Sequence, residues 1–419
     1  MNVFMVGWEF PPFISGGLGT ACYGLTKAMD QLGIQVTFVL PKTSSSHYSS
    51  HLKMLSAEAG GGGGKLKNVK FRTIASLLRP YVTSGTYGNP FAHSASQKRK
   101  TAGHTDCLDP AENYRGDMYA EVHRYAGQAA QIAATEEFDI VHTHDWMTYP
   151  AGIAVAKASG KPLVVQVHST EFDRSGENVN QMIYDIEREG MHAAAKIIAV
   201  SNFTKNIITS RYGVAPEKVE VVYNGVDCSN ATFSHAMPDK TDKIVLFLGR
   251  ITMQKGPDYF VAAAKKVLEI INNVKFVIAG DGDMMYRIIE LAAHLGIGHK
   301  VLFTRFLRGS DVDRIYQMAD LYVMPSVSEP FGIAPLEALH HNVPVLISKQ
   351  SGIAEVLTHA LRVDFWDINE MANKIAAVLK YPPLRKALSD NGHSEAHKFR
   401  WEDSAAKLCK IYEQILTPA

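Results

Sequence analysis

One pattern restricts this chain more than any other: a β-rich run, a glycine-containing turn and an amphipathic helix, set out in series and then started again. NVFMVGW (2–8) reads as a buried strand, followed by a loop with Gly16, Gly17 and Gly19. TACYGLTKAMDQL (20–32) carries apolar residues at helical spacing, and Gly33 suits the position after its end. IQVTFVL (34–40), DIVHTH (139–144), PLVVQVH (162–168), KIIAVS (196–201) and KVEVVYNG (218–225) read as further strands. The polar stretch CSNATFSHAMPDKTD (228–242) breaks the series, and KIVLFLGR (243–250) restarts it. VKFVIAGDG (274–282), VLFTRF (301–306), DLYVMPS (320–326) and VPVLIS (343–348) follow, with helices between them. The prediction is α/β: two doubly wound Rossmann-like domains, 1–230 and 243–400, joined by a linker at 231–242.

Composition removes some function classes. Of 419 residues 46% are hydrophobic and 20% charged, with net charge +1, so no bulk field favours nucleic acid or a membrane surface. No apolar run approaches the roughly 18 residues of a membrane span. Cys22, Cys107, Cys228 and Cys409 are scattered without CxxC spacing and read as reduced thiols of a cytoplasmic protein. Residues 43–118 do not fit the alternation. They hold the run Gly60–Gly64 and the basic stretch SASQKRKTAGHTD (94–106), and read as an insertion or flexible loop of the lid or specificity kind.

Two such domains face each other across a cleft lined by the carboxyl ends of their strands, where ligands bind. GGLG (16–19) opens the first helix there and is either a bare tight turn or an anion site. HTHDW (142–146) and VHSTEFDRSG (167–176) each put a histidine and acidic residues at a strand end. The HxH spacing suggests metal, but no third ligand has supporting spacing. In GRITMQKG (249–256), Arg250 and Lys255 flank a turn closed by Gly256, a bidentate guanidinium and a point charge suited to a diphosphate. In SEPFGIAPLEALHH (328–341) the amides of Gly332 and Ile333 open a helix with proline in its first turn. Glu329 and Glu337 lie on either side, placed to accept from hydroxyls flanking a phosphate: one for a sugar, one for a ribose. The bland alternative makes them a turn residue and an N-terminal helix charge. Asp281 and Asp283 in AGDGDM resemble a metal-binding DxD but suit a turn and a cap.

On these residues the chain resembles the retaining glycosyltransferases of the two-Rossmann-domain (GT-B) type, families 4 and 5, which include bacterial and archaeal glycogen synthases. The carriers are SGGLG, HTHDW, VHSTEF, VSNFTK…VVYNGVD, GRITMQKG and above all SEPFGIAPLEAL, an E-x7-E motif. The resemblance implies that Gly16 and Gly17 face donor phosphates or acceptor, His168 lies near the transferred sugar and Asp145 lies on the acceptor side. It implies that Arg250 and Lys255 bind the diphosphate, Glu329 the sugar hydroxyls, Gly332 and Ile333 a phosphate, and Glu337 the ribose. Arg305 and Phe306 match the region that packs on the base, and a helix at 401–419 would cross back onto the first domain. The implied reaction is front-face transfer of a hexose, glucose first, from a nucleotide diphosphate sugar to an α-1,4-glucan, with no cofactor and no metal. The other acceptors are a lipid, a cell-wall glycan or a small molecule; a nucleotide-sugar epimerase and a non-catalytic binding protein are the other classes. Glycogen synthases often read Lys-x-Gly-Gly-Leu at the first loop, and here Ile14 stands at the lysine position.

Overall fold

The computed structural model describes residues 1–11, 16–42, 66–76, 118–227 and 242–417. The first sheet contains β1 (Asn2–Val6), β2 (Gln35–Lys42), β3 (Val69–Ala75), β4 (Ile140–His144), β5 (Leu163–Val167), β6 (Lys196–Ala199) and β7 (Val219–Val221). Their order is β3-β2-β1-β4-β5-β6-β7. The second contains β8 (Lys243–Leu248), β9 (Val274–Ala279), β10 (Val301–Arg305), β11 (Leu321–Met324), β12 (Val345–Ser348) and β13 (Leu361–Val363), ordered β10-β9-β8-β11-β12-β13. Pairing is parallel in both, as in Val6 with Val39 and Val3 with Ile140. These are the two doubly wound sheets that the strand–helix alternation predicts. Their strands read as continuous apolar runs because helices cover both faces; every residue of β4 and β5 is buried.

Each sheet reverses its winding once, between β1 and β4 and between β8 and β11. Loops leaving neighbouring strands there run to opposite faces and open a crevice. The turns after β1, β4, β8 and β11 carry most of the residues singled out above.

Three local readings change. The segment 43–118 is not all loop, because it contains β3, paired with β2 from Val36–Val69 to Lys42–Ala75. As an edge strand with Lys70 and Arg72 on it, it lacks the apolar run of the inner strands. The strand read at 218–225 ends at Val221, because Gly225 leaves the sheet; a Cβ there would lie 2.4 Å from the Trp401 amide. The first helix spans Gly17–Gln31 and so begins before Thr20; Gly33 follows it at φ +76. Ile14, Gly60–Gly64, 94–106, Cys107, Cys228 and the linker up to residue 241 lie outside the described residues.

The chain passes between domains twice, side by side: Val226 donates to the Phe399 carbonyl at 2.9 Å and bridges to Arg400. The helix Trp401–Leu416 then lies on the first helix. Trp401, Leu408, Ile411 and Tyr412 join the core of the first domain. Gly24 makes room for this, since a Cβ there would meet the Trp401 ring at 2.3 Å.

Candidate active site

In the second domain the turns after β8 and β11 interlock through glycine. A Cβ on Gly256 (φ +63) would lie 2.2 Å from the Pro325 carbonyl. This approach brings Lys255 to Glu329, with Nζ 2.5 Å from Oε2. Ser326 donates to the same oxygen at 3.2 Å. Arg250 donates to Gln254 Oε1 at 3.0 Å. The backbone at Glu329 is pinned: its N–H donates to Gln350, and its carbonyl accepts from Gly352 at 2.9 Å. Gly332 caps the helix Ile333–His340 at φ +109, and no side chain satisfies its first amides. A helix start of that kind carries free donors and positive potential.

Glu337 lies inside that helix. Tyr316 donates to its Oε2 at 3.0 Å, and burial pushes the carboxyl above its usual range. It borders a cavity of about 250 Å³ between the domains, shared with Thr20 and Tyr23 of the first helix, Tyr316, Ile333 and Trp401. Arg305 and Phe306 sit at the end of β10, two strands from β8. Arg305 has φ +60 and stands 3.9 Å from Asp281; Phe306 is 44% exposed, with Arg308 over its ring. Asp281 makes a turn: its side chain accepts from the Gly282 amide, and its carbonyl from Ile251, both at 2.9 Å.

In the first domain Gly16 caps the first helix and donates to Glu9 Oε1 at 2.9 Å, with Gly17 beside it in open space. His142 and His144 are fully buried on β4. His142 Nδ1 bonds the Tyr412 hydroxyl of the returning helix, and His144 Nδ1 lies 3.0 Å from His168 Nε2. Burial pushes His142 down to about 3 and His144 well below the imidazole range; His168 is pushed down by the same cause, aided by His142. All three rings are therefore neutral near pH 7.

Asp145 adopts φ +59, an unusual conformation for a non-glycine residue, and is 4% exposed. Its Oδ1 accepts from the His168 amide at 2.7 Å and the Ser169 amide at 3.3 Å. Burial pushes its carboxyl up to about 7, against the pull of Arg174 and those amides. Asp145 thus holds the start of the loop that carries His168. Sequence reasoning missed Arg174, which bonds Glu171 at 3.1 Å and Glu187 at 2.5 Å. It also missed Cys22, whose sulfur lies within 4.8 Å of ring nitrogens of His144 and His168, a third potential ligand supplied from another element. Burial, then Glu9 and Asp145, push that thiol well up, so it stays protonated.

The EPFG loop also receives the first domain. Ser328 donates to Asp173 Oδ1 at 2.5 Å, and Ser201 and Thr204 donate to the Pro330 carbonyl at 2.5 and 3.3 Å. The Asn202 amide donates to Glu355 at 2.7 Å. Both halves of the site thus meet at 325–332.

Residues 15–230 match the model for Glycosyltransferase Family 4, and residues 231–395 that for Glycosyl transferases group 1. An uncharacterized glycosyltransferase of Methanocaldococcus jannaschii is 27% identical, over 99% of this chain and 98% of its own. The glycogen synthase of Mycobacterium tuberculosis is 24% identical, over 98% of this chain and 94% of its own. Among solved structures, sucrose-phosphate synthase from Thermosynechococcus elongatus superposes with a TM-score of 0.74 at 18% identity, covering 99% of each chain. The fold is GT-B. No helix among the described residues is long and apolar enough to cross a membrane.

Proposed function

The chain belongs to glycosyltransferase family 4 and is a glycosyltransferase, and from that premise we propose that it moves glucose from a nucleotide diphosphate sugar to a growing α-1,4-glucan with retention of configuration. The observation that carries the donor half is the meeting of Lys255 and Glu329 beside Arg250 and the open helix start at Gly332. The glucan acceptor is supported by full-length likeness to a protein named glycogen synthase.

The donor's diphosphate takes Arg250, Lys255 and the amides of Gly332 and Ile333. Lys255 then exchanges its partner, and Glu329 is released to the sugar hydroxyls. Glu337 and the cavity beside it take the ribose, Arg305 and Phe306 lie toward the base, and Gly16 and Gly17 approach the phosphates from the opposite domain. The bond from the sugar C1 to the diphosphate oxygen breaks, and the acceptor oxygen bonds C1 on the same face. The acceptor proton passes to the departing diphosphate. Two fixed cations and a helix start stabilise the charge that develops there, the task a metal performs in other transferases. Neutral His168 borders the transferred sugar as a hydrogen-bonding group.

Release of nucleoside diphosphate from UDP-glucose and from ADP-glucose, each with and without glycogen primer, tests this reading. Primer-dependent release with glucose entering polymer is expected. Release that ignores primer would reject the glucan and point to a smaller acceptor, while isomerised donor without release would make the protein an epimerase.

A further inference from the structure

Three histidines converge beside the cavity that Glu337 borders, and His340 is part of its lining. His340 is the last residue of the helix Ile333–His340, and His393 and His397 stand one turn apart at the end of the helix Pro382–Ala396. One ring nitrogen of each lies within 4.8 Å of the other two. His393 Nδ1 is 3.1 Å from the Leu339 carbonyl, which can only accept. The proton of neutral His393 therefore sits on Nδ1, and Nε2 presents a lone pair. That Nε2 is 3.1 Å from His397 Nε2. His340 is 8% exposed, and its Nδ1 has no hydrogen-bond partner among the described residues. A buried ring nitrogen without a partner bears a desolvation cost that a bound ligand removes.

We propose that His340, His393 and His397 form a binding site for a divalent transition metal of the zinc type, with water in the remaining position. Neutral imidazoles are the ligand form, and burial together with neighbouring histidines holds His340 and His397 below the usual imidazole range. His341 faces His340 across a 5.7 Å ring contact, and Asp227 lies near enough to add negative charge, which favours a cation. Around a tetrahedral ion with bonds of about 2.0–2.1 Å, ligand nitrogens sit about 3.3 Å apart. One pair is already at that spacing, and side-chain rotation brings in the third. The Leu339 carbonyl is the outer partner that fixes a ligand's tautomer. Such an ion would tie the helix carrying Glu337 to the segment just before Phe399 and Arg400, where the chain returns to the first domain.

The test uses the full chain, freed of metal by chelator dialysis and titrated with Zn²⁺ and with Co²⁺ as a visible probe. The sequence holds 17 histidines, so the reading is a difference between wild type and His397→Gln, whose side chain is exposed. Wild type is expected to bind one more equivalent of Zn²⁺ than the variant, or to bind it at least tenfold tighter. It should show Co²⁺ absorption that the variant lacks, and a thermal midpoint that rises with Zn²⁺ only in wild type. His393→Gln should reproduce the loss and replaces His397→Gln if that variant folds poorly. Equal stoichiometry with less than a tenfold difference in affinity would overturn the site. None of these readouts depends on glycosyl transfer, so the outcome is separate from that of the proposed reaction.

Discussion

Lys255 and Glu329, 74 positions apart, form an ion pair at 2.5 Å in which both side chains are largely covered. The cation assigned to the diphosphate is held by the carboxylate assigned to the sugar. Each satisfies the other until a donor supplies both with new partners.

This relationship makes the two residues one functional unit. Lys255→Ala is expected to lower kcat by roughly 10²–10³-fold, the cost of one preorganised donor to a developing oxyanion. Glu329→Gln should also lower activity. The double variant should lose far less than the product of the single losses, because each single change also strands the other group. Steady-state kinetics of the four proteins decides this; losses that simply multiply would disprove the shared task.

Stability should fall as pH drops from about 6.5 toward 4. His142, His144 and His168 have folded pKa values below their unfolded ones, so in that window the unfolded chain binds up to three more protons. Asp145, raised to about 7, works the other way and binds one proton more in the folded state. Asp173, Glu187 and Glu337 are raised too and oppose in the same sense, while His340 and His397 are lowered and Glu136, Asp364 and Glu395 are held below the usual carboxylate range. The groups that bind their extra proton in the unfolded chain are the more numerous, so unfolding is favoured by up to about 1.4 kcal/mol per pH unit for each net proton. Asp145→Asn removes one opposing group and should steepen the decline. Denaturant midpoints measured across this range provide the check; a flat profile would contradict the burial of the histidines.

Ser328→Ala removes the hydroxyl that spans the cleft to Asp173. Loss of one such bond costs about 1 kcal/mol. The donor KM should rise about fivefold with kcat little changed, and small-angle scattering should show a larger radius of gyration without ligand. A variant as compact as wild type would show that the bond does not hold the domains together.

Gly24→Ala should destabilise the protein although alanine is the better helix former. The added Cβ meets the Trp401 ring, which is packed in the first domain's core. Such overpacking costs about 1–3 kcal/mol. A lower thermal midpoint with a red-shifted tryptophan emission is expected, and unchanged stability would mean that the returning helix can shift at no cost.

Both sheets were legible in the sequence because an inner strand of a parallel sheet is apolar on both faces, and NVFMV or KIVLFL has no competing reading. The E-x7-E stretch stood out because glycine, proline and two carboxylates gather around one helix start, and the structure sets one of those carboxylates, Glu329, against Lys255. The edge strand β3 was not legible, since an edge tolerates charge and its strand lies beside a glycine run. Nor were the contacts of Asp145, whose partners are backbone amides 23 and 24 positions away.

The sequence alone determined the class of fold, the place of the cleft and the residue types that line it. Those follow from local periodicity, turn chemistry and the rule that ligands meet strand ends. Tertiary structure decided which of those residues touch. The approach of Gly256 to Pro325 sets Lys255 against Glu329, and the docking of Trp401 at Gly24 sets Tyr412 on His142. Contacts between distant segments depend on how whole domains pack, and no local pattern of side chains encodes that.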